Sequence, residues 1–178
     1  LDRSSAASDV YKRQREYFKN NIDKLRFREV VLNEKNNHIV SLIQNTNSVA
    51  VHIRRGDYCD SCRKDLFLQS CTPQYYEAAI NVMKDKYLAP VFFVFSDDIP
   101  WVKVNLNIPN AYYIDWNKKK DSYLDMYLMS LCTANIIANS TFSFWGAMLG
   151  NKKELVIKPK KWIGNEIPDI FPTSWLSL

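Results

Sequence analysis

From about residue 48 onward, short apolar runs alternate with stretches whose apolar positions recur every three or four residues. The runs Val49–Ile53, Val91–Phe95, Ala111–Asp115, Asn135–Ala138 and Leu155–Ile157 are rich in β-branched and aromatic residues and predict strands. Between them, Tyr75, Ala79, Ile80 and Met83 share one helical face, and Thr72-Pro73 supplies an N-cap followed by proline in the first turn. Further helices are predicted near Pro100–Leu106, Ser122–Thr133 and Thr141–Leu149. Repeated strand and helix alternation is the pattern of a parallel sheet with crossover helices, so the expected fold is α/β, a Rossmann-like doubly wound sheet. Ahead of it, Tyr17, Phe18, Ile22, Leu25, Ile39, Val40, Leu42 and Ile43 keep the helical period and predict two helices between Arg15 and Asn45. Residues 1–14 are small and polar without a period, and read as a non-native or disordered tail.

In sheets of this kind ligands bind beyond the carboxyl ends of the strands, which makes the residues after each run informative. They are Arg54-Arg55-Gly56-Asp57-Tyr58, Ser96-Asp97-Asp98, Asp115-Trp116-Asn117, Asn139-Ser140-Thr141 and Lys158-Pro159-Lys160-Lys161. Arginine forks and a helix opening at Ser140 or Thr141 suit phosphate oxygens. Each element has a plainer role as well. Ser140-Thr141 and Asp97-Asp98 are good helix caps, Asp97 and Asp98 could hold a divalent ion against a diphosphate, and His52 suits a buried strand position. The functional reading rests on all of them falling on one edge of one sheet.

Composition narrows this further. The 178 residues carry 24 basic and 19 acidic side chains, a net charge of +5, which suits a polyanion, a small diphosphate or an acidic membrane surface. Four glycines, with neither GxGxxG nor GxxxxGK[ST], exclude the glycine-rich phosphate loops, so side chains must bind any phosphate. No apolar stretch exceeds the five residues Val91–Phe95, far below the length of a membrane span, and a soluble chain is expected. Cys59, Cys62, Cys71 and Cys132 read as reduced thiols of a cytosolic protein. Cys59 and Cys62 form a CxxC, but a zinc site needs four ligands, and Cys132 and His52 lie in an apolar helix and a strand; no metal site is assigned.

His52-Ile53-Arg54-Arg55-Gly56-Asp57-Tyr58 resembles the HxRRxD-type first motif of the α-1,2-fucosyltransferases, glycosyltransferase family 11. Phe95 to Lys103 resembles the second block of that family, and Asp125–Ser130 with Asn135–Ala147 resembles its third. The likeness runs in order from about Tyr17 to Leu178, with Phe144 where tryptophan is expected and an unfamiliar Cys59–Cys71 insert.

The resemblance implies a GT-B-like enzyme that moves L-fucose from GDP-fucose to the 2-hydroxyl of a galactose-terminated glycan, inverting the anomeric centre without a metal cofactor. Arg54 and Arg55 would hold the diphosphate, with Asp57 as the candidate base. His52, Ser96, Asp97, Asp125, Asn139, Ser140, Thr141 and Phe142 would complete the donor site. Residues 48–178 would then be the GDP-sugar-binding half, and 15–47 a helical segment from the acceptor side or interdomain region. The family's usual N-terminal half is expected to be missing. A cytoplasmic location, with peripheral contact to the inner membrane, is expected. Two rival readings are a nucleotide-sugar-binding fragment without turnover and a basic nucleic-acid-binding domain.

Overall fold

The computed structural model describes residues 21–56, 68–150, 153–162, 164 and 170–178. The tail 1–14, Asp57 and the pair Cys59 and Cys62 lie outside the described residues. Residues 1–30 and 31–178 form two separate compact units. In the first, the described part holds a single 3₁₀ turn, Ile22–Lys24.

The second unit is a sheet of six parallel strands. In chain order it runs α1 (Glu34–Gln44), β1 (Ser48–Ile53), α2 (Pro73–Lys86), β2 (Val91–Ser96), α3 (Ile99–Asn105), β3 (Ala111–Ile114), α4 (Tyr123–Leu131), β4 (Ala134–Ile136), α5 (Thr141–Met148), β5 (Leu155–Lys158) and β6 (Leu176–Ser177). The strand order β3-β2-β1-β4-β5-β6 reverses direction between β1 and β4, the doubly wound arrangement the alternation predicted.

Burial follows the two-residue period of a strand. Val49, Val51 and Ile53 of β1 face one layer, packed with Tyr76, Ala79, Ile80 and Met83 of α2 and Val102 of α3. Ala50 faces the other, with Ile39 and Ile43 of α1 and Leu128 and Met129 of α4. Both faces are covered, which is why β1 is buried at every position. Beyond β5, Phe144 is 3% exposed and packs edge-on against Trp145 and Phe171, so phenylalanine fills this third cluster.

Several boundaries differ from the sequence expectation. Residues 25–33 are not helical; α1 is one of the two helices expected between Arg15 and Asn45, and residues 15–20, where the other was expected to begin, lie outside the described residues. Asn33 ends the non-helical stretch by capping α1, its side chain accepting the Asn36 N–H at 2.9 Å. The sheet's compact unit starts at Val31, so α1 belongs with the sheet. The strand expected at Asn135–Ala138 is β4, at Ala134–Ile136, and the one expected to end at Asp115 stops at Ile114. The two-residue strand β6 was not foreseen. It forms because Leu178 N–H donates to Lys158 O at 3.1 Å and Lys160 N–H to Leu178 O at 2.8 Å, pairings too short to leave a periodic pattern.

Candidate functional site

β1 and β2 pair in parallel with Ile53 opposite Ser96, so the residues that follow the two strands emerge side by side. Arg54 Nη1 lies 2.9 Å from Asp97 Oδ2, and Asp97 Oδ1 accepts the backbone N–H of Arg55 at 2.9 Å. One carboxylate thus ties the β1 loop to the end of β2. Gly56 allows that approach, since a Cβ there would stand 2.8 Å from Asp97 Oδ2. Arg55 turns onto α3 instead. Its guanidinium lies 3.6 Å from the centroid of the Trp101 ring, and its Nε is 3.4 Å from Asp98 Oδ2. Asp98 also caps α3, with Oδ1 accepting the Trp101 N–H at 3.1 Å.

A cleft of about 650 Å³ opens over the carboxyl ends of β1, β2 and β3. β1 contributes His52 and Arg54; β2 contributes Phe95, Ser96 and Asp97. From the β3 end come Ile114, Asp115, Asn117, Lys118 and Lys119, from α4 and its cap Ser122 and Asp125, and from α5 Phe142. His52 is 5% exposed, its ring 5.6 Å from that of Phe142. Burial, reinforced by the Arg54 charge, drives its pKa down to about 3, so the imidazole is neutral at physiological pH. Its Nδ1 has no hydrogen-bond partner among the described residues.

The floor beside α4 is a buried amide network. Asn36 of α1 donates through Nδ2 to Asn117 Oδ1 at 2.9 Å, and Asn36 Oδ1 accepts Trp116 Nε1–H at 2.9 Å. Asn117 Nδ2 donates in turn to Asp125 Oδ1 at 2.7 Å. Burial raises the Asp125 carboxyl to about 7, opposed in part by the Asn117 hydrogen bond. The fold therefore keeps a proton that the unfolded chain, titrating near 3.8, has already released. Stability is expected to fall as pH climbs from about 4 to about 7, by a few kcal/mol at most. Asp125→Asn should remove this dependence and melt higher than the parent at pH 8. Melting curves at pH 5 and pH 8 check it, and parallel shifts in the two proteins would exclude Asp125 as the source.

The structure brings His52, Arg54, Ser96, Asp97, Asp125 and Phe142 to the cleft wall. It places Arg55 against Trp101 instead, and the segment after β4 serves other ends. Asn139 is 2% exposed, with Nδ2 donating to Trp162 O at 2.8 Å. Ser140 caps α5 by accepting the Phe142 N–H at 3.3 Å, and Thr141 is exposed outside the cleft lining. Lys118, Lys119 and Ser122 went unselected, because a run of lysines after a strand reads as solvated charge. The Asp115-Trp116-Asn117 triplet preceding them was the available signal.

Cys71 accepts the Asn139 N–H and Cys132 donates to Leu128 O, and burial raises both thiols to about 12. Among the described residues no group of three or more His, Cys, Asp or Glu side chains is placed to hold a metal. Nor is any described helix long and apolar enough to cross a membrane.

Over residues 8–177 the chain matches the description "Glycosyl transferase family 11". It is 39% identical to the O-antigen biosynthesis glycosyltransferase WbnK of Escherichia coli over 77% of this chain and 46% of the relative. It is 37% identical to an alpha-1,2-colitosyltransferase of Escherichia coli over 91% of this chain and 59% of the relative. Against galactoside alpha-(1,2)-fucosyltransferase 2 of Bos taurus it is 26% identical over 61% of this chain and 32% of the relative. The chain thus spans less than two thirds of the length of each of these relatives. No solved structure matches it.

Proposed function

The chain belongs to glycosyl transferase family 11, and from that premise we propose that its sheet unit is the donor-binding half of an inverting α-1,2-fucosyltransferase. In this reading L-fucose passes from GDP-fucose to the 2-hydroxyl of a galactoside. The acceptor oxygen attacks the anomeric carbon as the bond to the β-phosphate breaks. GDP leaves with the electron pair, and the sugar inverts from β to α. Negative charge grows on the departing phosphate, and fixed cations aimed at it lower the barrier.

The observation that carries the reading is Arg54 held at the cleft mouth by Asp97, over the carboxyl ends of three parallel strands. Arg54 receives the diphosphate, while Arg55, clamped on Trp101, keeps the loop in place and adds its charge at longer range. Neutral His52 offers a ring nitrogen to the donor without competing for its charge. Phe142 offers an aromatic face, and Ser96 and Asp125 offer hydrogen-bonding groups. Asn139, Ser140 and Thr141 set the start of α5 behind Phe142. Asp57 remains our candidate for the base that takes the acceptor proton. The acceptor, and the turnover of a protein of the relatives' length, belong to the same proposal.

A colitosyl donor is the second reading, favoured by the 37% identity to the alpha-1,2-colitosyltransferase over 91% of this chain. Parallel assays with the GDP-linked forms of fucose and colitose would separate the two. Work in a cytoplasmic setting, with peripheral membrane contact, fits a glycan-building enzyme and is likewise our reading.

Calorimetry tests the donor site. GDP is expected to bind more tightly than UDP, and equal heats with both, or none with either, would remove the assignment. The GDP signal is also expected to survive EDTA. Asp97 is already engaged by Arg54 and Arg55, and Asp98 by Arg55 and the α3 cap. Loss of binding that magnesium alone restores would reassign those aspartates as metal ligands.

A further inference from the structure

Three cationic side chains line the cleft, and they are not equivalent. Arg54 is ion-paired to Asp97 at 2.9 Å, so part of its charge is already neutralised within the protein. Lys118 and Lys119 line the same cleft, both are exposed, and neither has an ion pair to a described residue. Three negative side chains share the space. Asp97 is matched by Arg54, burial holds Asp125 largely protonated below pH 7, and Asp115 stands exposed at the end of β3. The two lysines are therefore the cleft cations with no ion pair to a described residue, and against the exposed Asp115 they leave the lining net positive.

Their turn is built rather than loose. Asn117, immediately before them, is 6% exposed and held by Asn36 and Asp125 on two different helices. Asp121 N–H donates to Lys118 O and Ser122 N–H to Lys119 O, each at 3.2 Å, closing a 3₁₀ turn over Lys119–Asp121. Lys119 has a φ of 57°, a left-handed backbone that costs a non-glycine residue roughly 1 kcal/mol. Strain of this kind persists where surrounding contacts impose it, and here they hold the backbone of both lysines at the cleft wall.

We propose that Lys118 and Lys119 form a diphosphate-binding pair, contacting the phosphate oxygens of a nucleoside diphosphate-linked donor in the cleft. The proposal rests on the donor-half reading and adds to it the residues that carry most of the phosphate affinity. A lysine ammonium is a compact point charge that serves phosphate without needing the bidentate fit of arginine. Because the contacts are to phosphate, they are indifferent to the base, and discrimination between GDP and UDP arises elsewhere in the cleft.

The test is calorimetric titration of the whole chain with GDP, UDP and inorganic pyrophosphate. Lys118→Ala and Lys119→Gly are compared with the parent and with Lys120→Ala. Glycine is used at 119 because it accepts the left-handed backbone without strain. Lys120 is exposed on the same turn but outside the cleft lining. Each cleft variant is expected to lose roughly tenfold or more in affinity for GDP, UDP and pyrophosphate alike, the scale of one charged hydrogen bond. Lys120→Ala should bind as the parent does. Parent-like binding by both cleft variants overturns the lysine pair and leaves the donor-half reading standing. An equal loss in Lys120→Ala overturns it too, since the effect would then be general surface charge. If the unaltered chain takes up neither GDP nor pyrophosphate, the donor-half reading itself fails and the pair with it. Circular dichroism of each variant shows that binding is compared between folded proteins.

Discussion

Arg54→Ala is expected to cut the transfer rate by roughly 10²–10³, measured in a chain extended to the length of its relatives, with little change in melting temperature. The residue touches the cleft, and its ion pair to Asp97 is part-exposed, with side-chain exposures of 36% and 25%; such pairs contribute at most about 1 kcal/mol to stability. In the proposed reading the negative charge facing Arg54 is largest as the bond to the β-phosphate breaks, which places most of the loss in kcat. Arg54→Lys should recover only part of it, because a point charge lacks the two parallel donors of guanidinium. Arg55→Ala should behave differently. It removes the Trp101 stack and the Asp98 contact, so a stability loss of about 1–2 kcal/mol, read as a lower melting temperature, is expected with a smaller loss of rate. Rates and melting temperatures of the three variants decide the matter. An unchanged kcat in folded Arg54→Ala would refute its role with the leaving group. Identical behaviour of the two alanine variants would refute the division between them.

Asn36→Leu is the second large effect. Asn36 is fully buried and satisfies both the Asn117 amide and Trp116 Nε1–H. Leucine is of similar size but has no polar atom, and leaves the Asn117 carbonyl and the indole N–H without their partner. Each buried group stranded in this way costs about 1–3 kcal/mol, so urea denaturation should show a loss of about 2–4 kcal/mol. The damage should also reach the ligand. Asn117 would hold Asp125 and the Lys118–Lys119 turn from one side only, and GDP affinity should fall with stability. A parent-like denaturation midpoint would mean that water replaces Asn36, and the network would lose its assigned part in shaping the cleft.

The two arguments lean on different kinds of information, and the chain shows where one gives way to the other. Strand and helix identities after residue 48 are local facts. A buried parallel strand such as Val91–Ser96 needs continuous apolar residues, and helices such as Pro73–Lys86 and Ile99–Asn105 need a cap at Thr72 or Asp98. Both requirements are met within a few neighbouring residues, so both were legible. The same holds for the polar edge, because in a parallel sheet every strand ends on the same side, and polar residues after each run must gather there. The first motif and the third block also carried the family likeness, which the match over residues 8–177 supports.

What each polar residue does at that edge was decided only by packing across the chain. Asn36 reads as one of several asparagines in a polar helix start, yet it is bonded to Asn117, 81 residues away. Arg54 and Arg55 look alike in sequence. They part ways because the β1 and β2 register sets Ile53 beside Ser96, bringing Asp97 under one arginine while Asp98 and Trp101 on α3 capture the other. Lys118 and Lys119 look like solvated charge until the amide network turns them onto the cleft. The sequence by itself therefore determined the order of elements and the sheet edge where the polar residues gather, since apolar period and capping act over one or two turns. Register and layer packing, which depend on how distant apolar faces fit together, decided which side chains meet there.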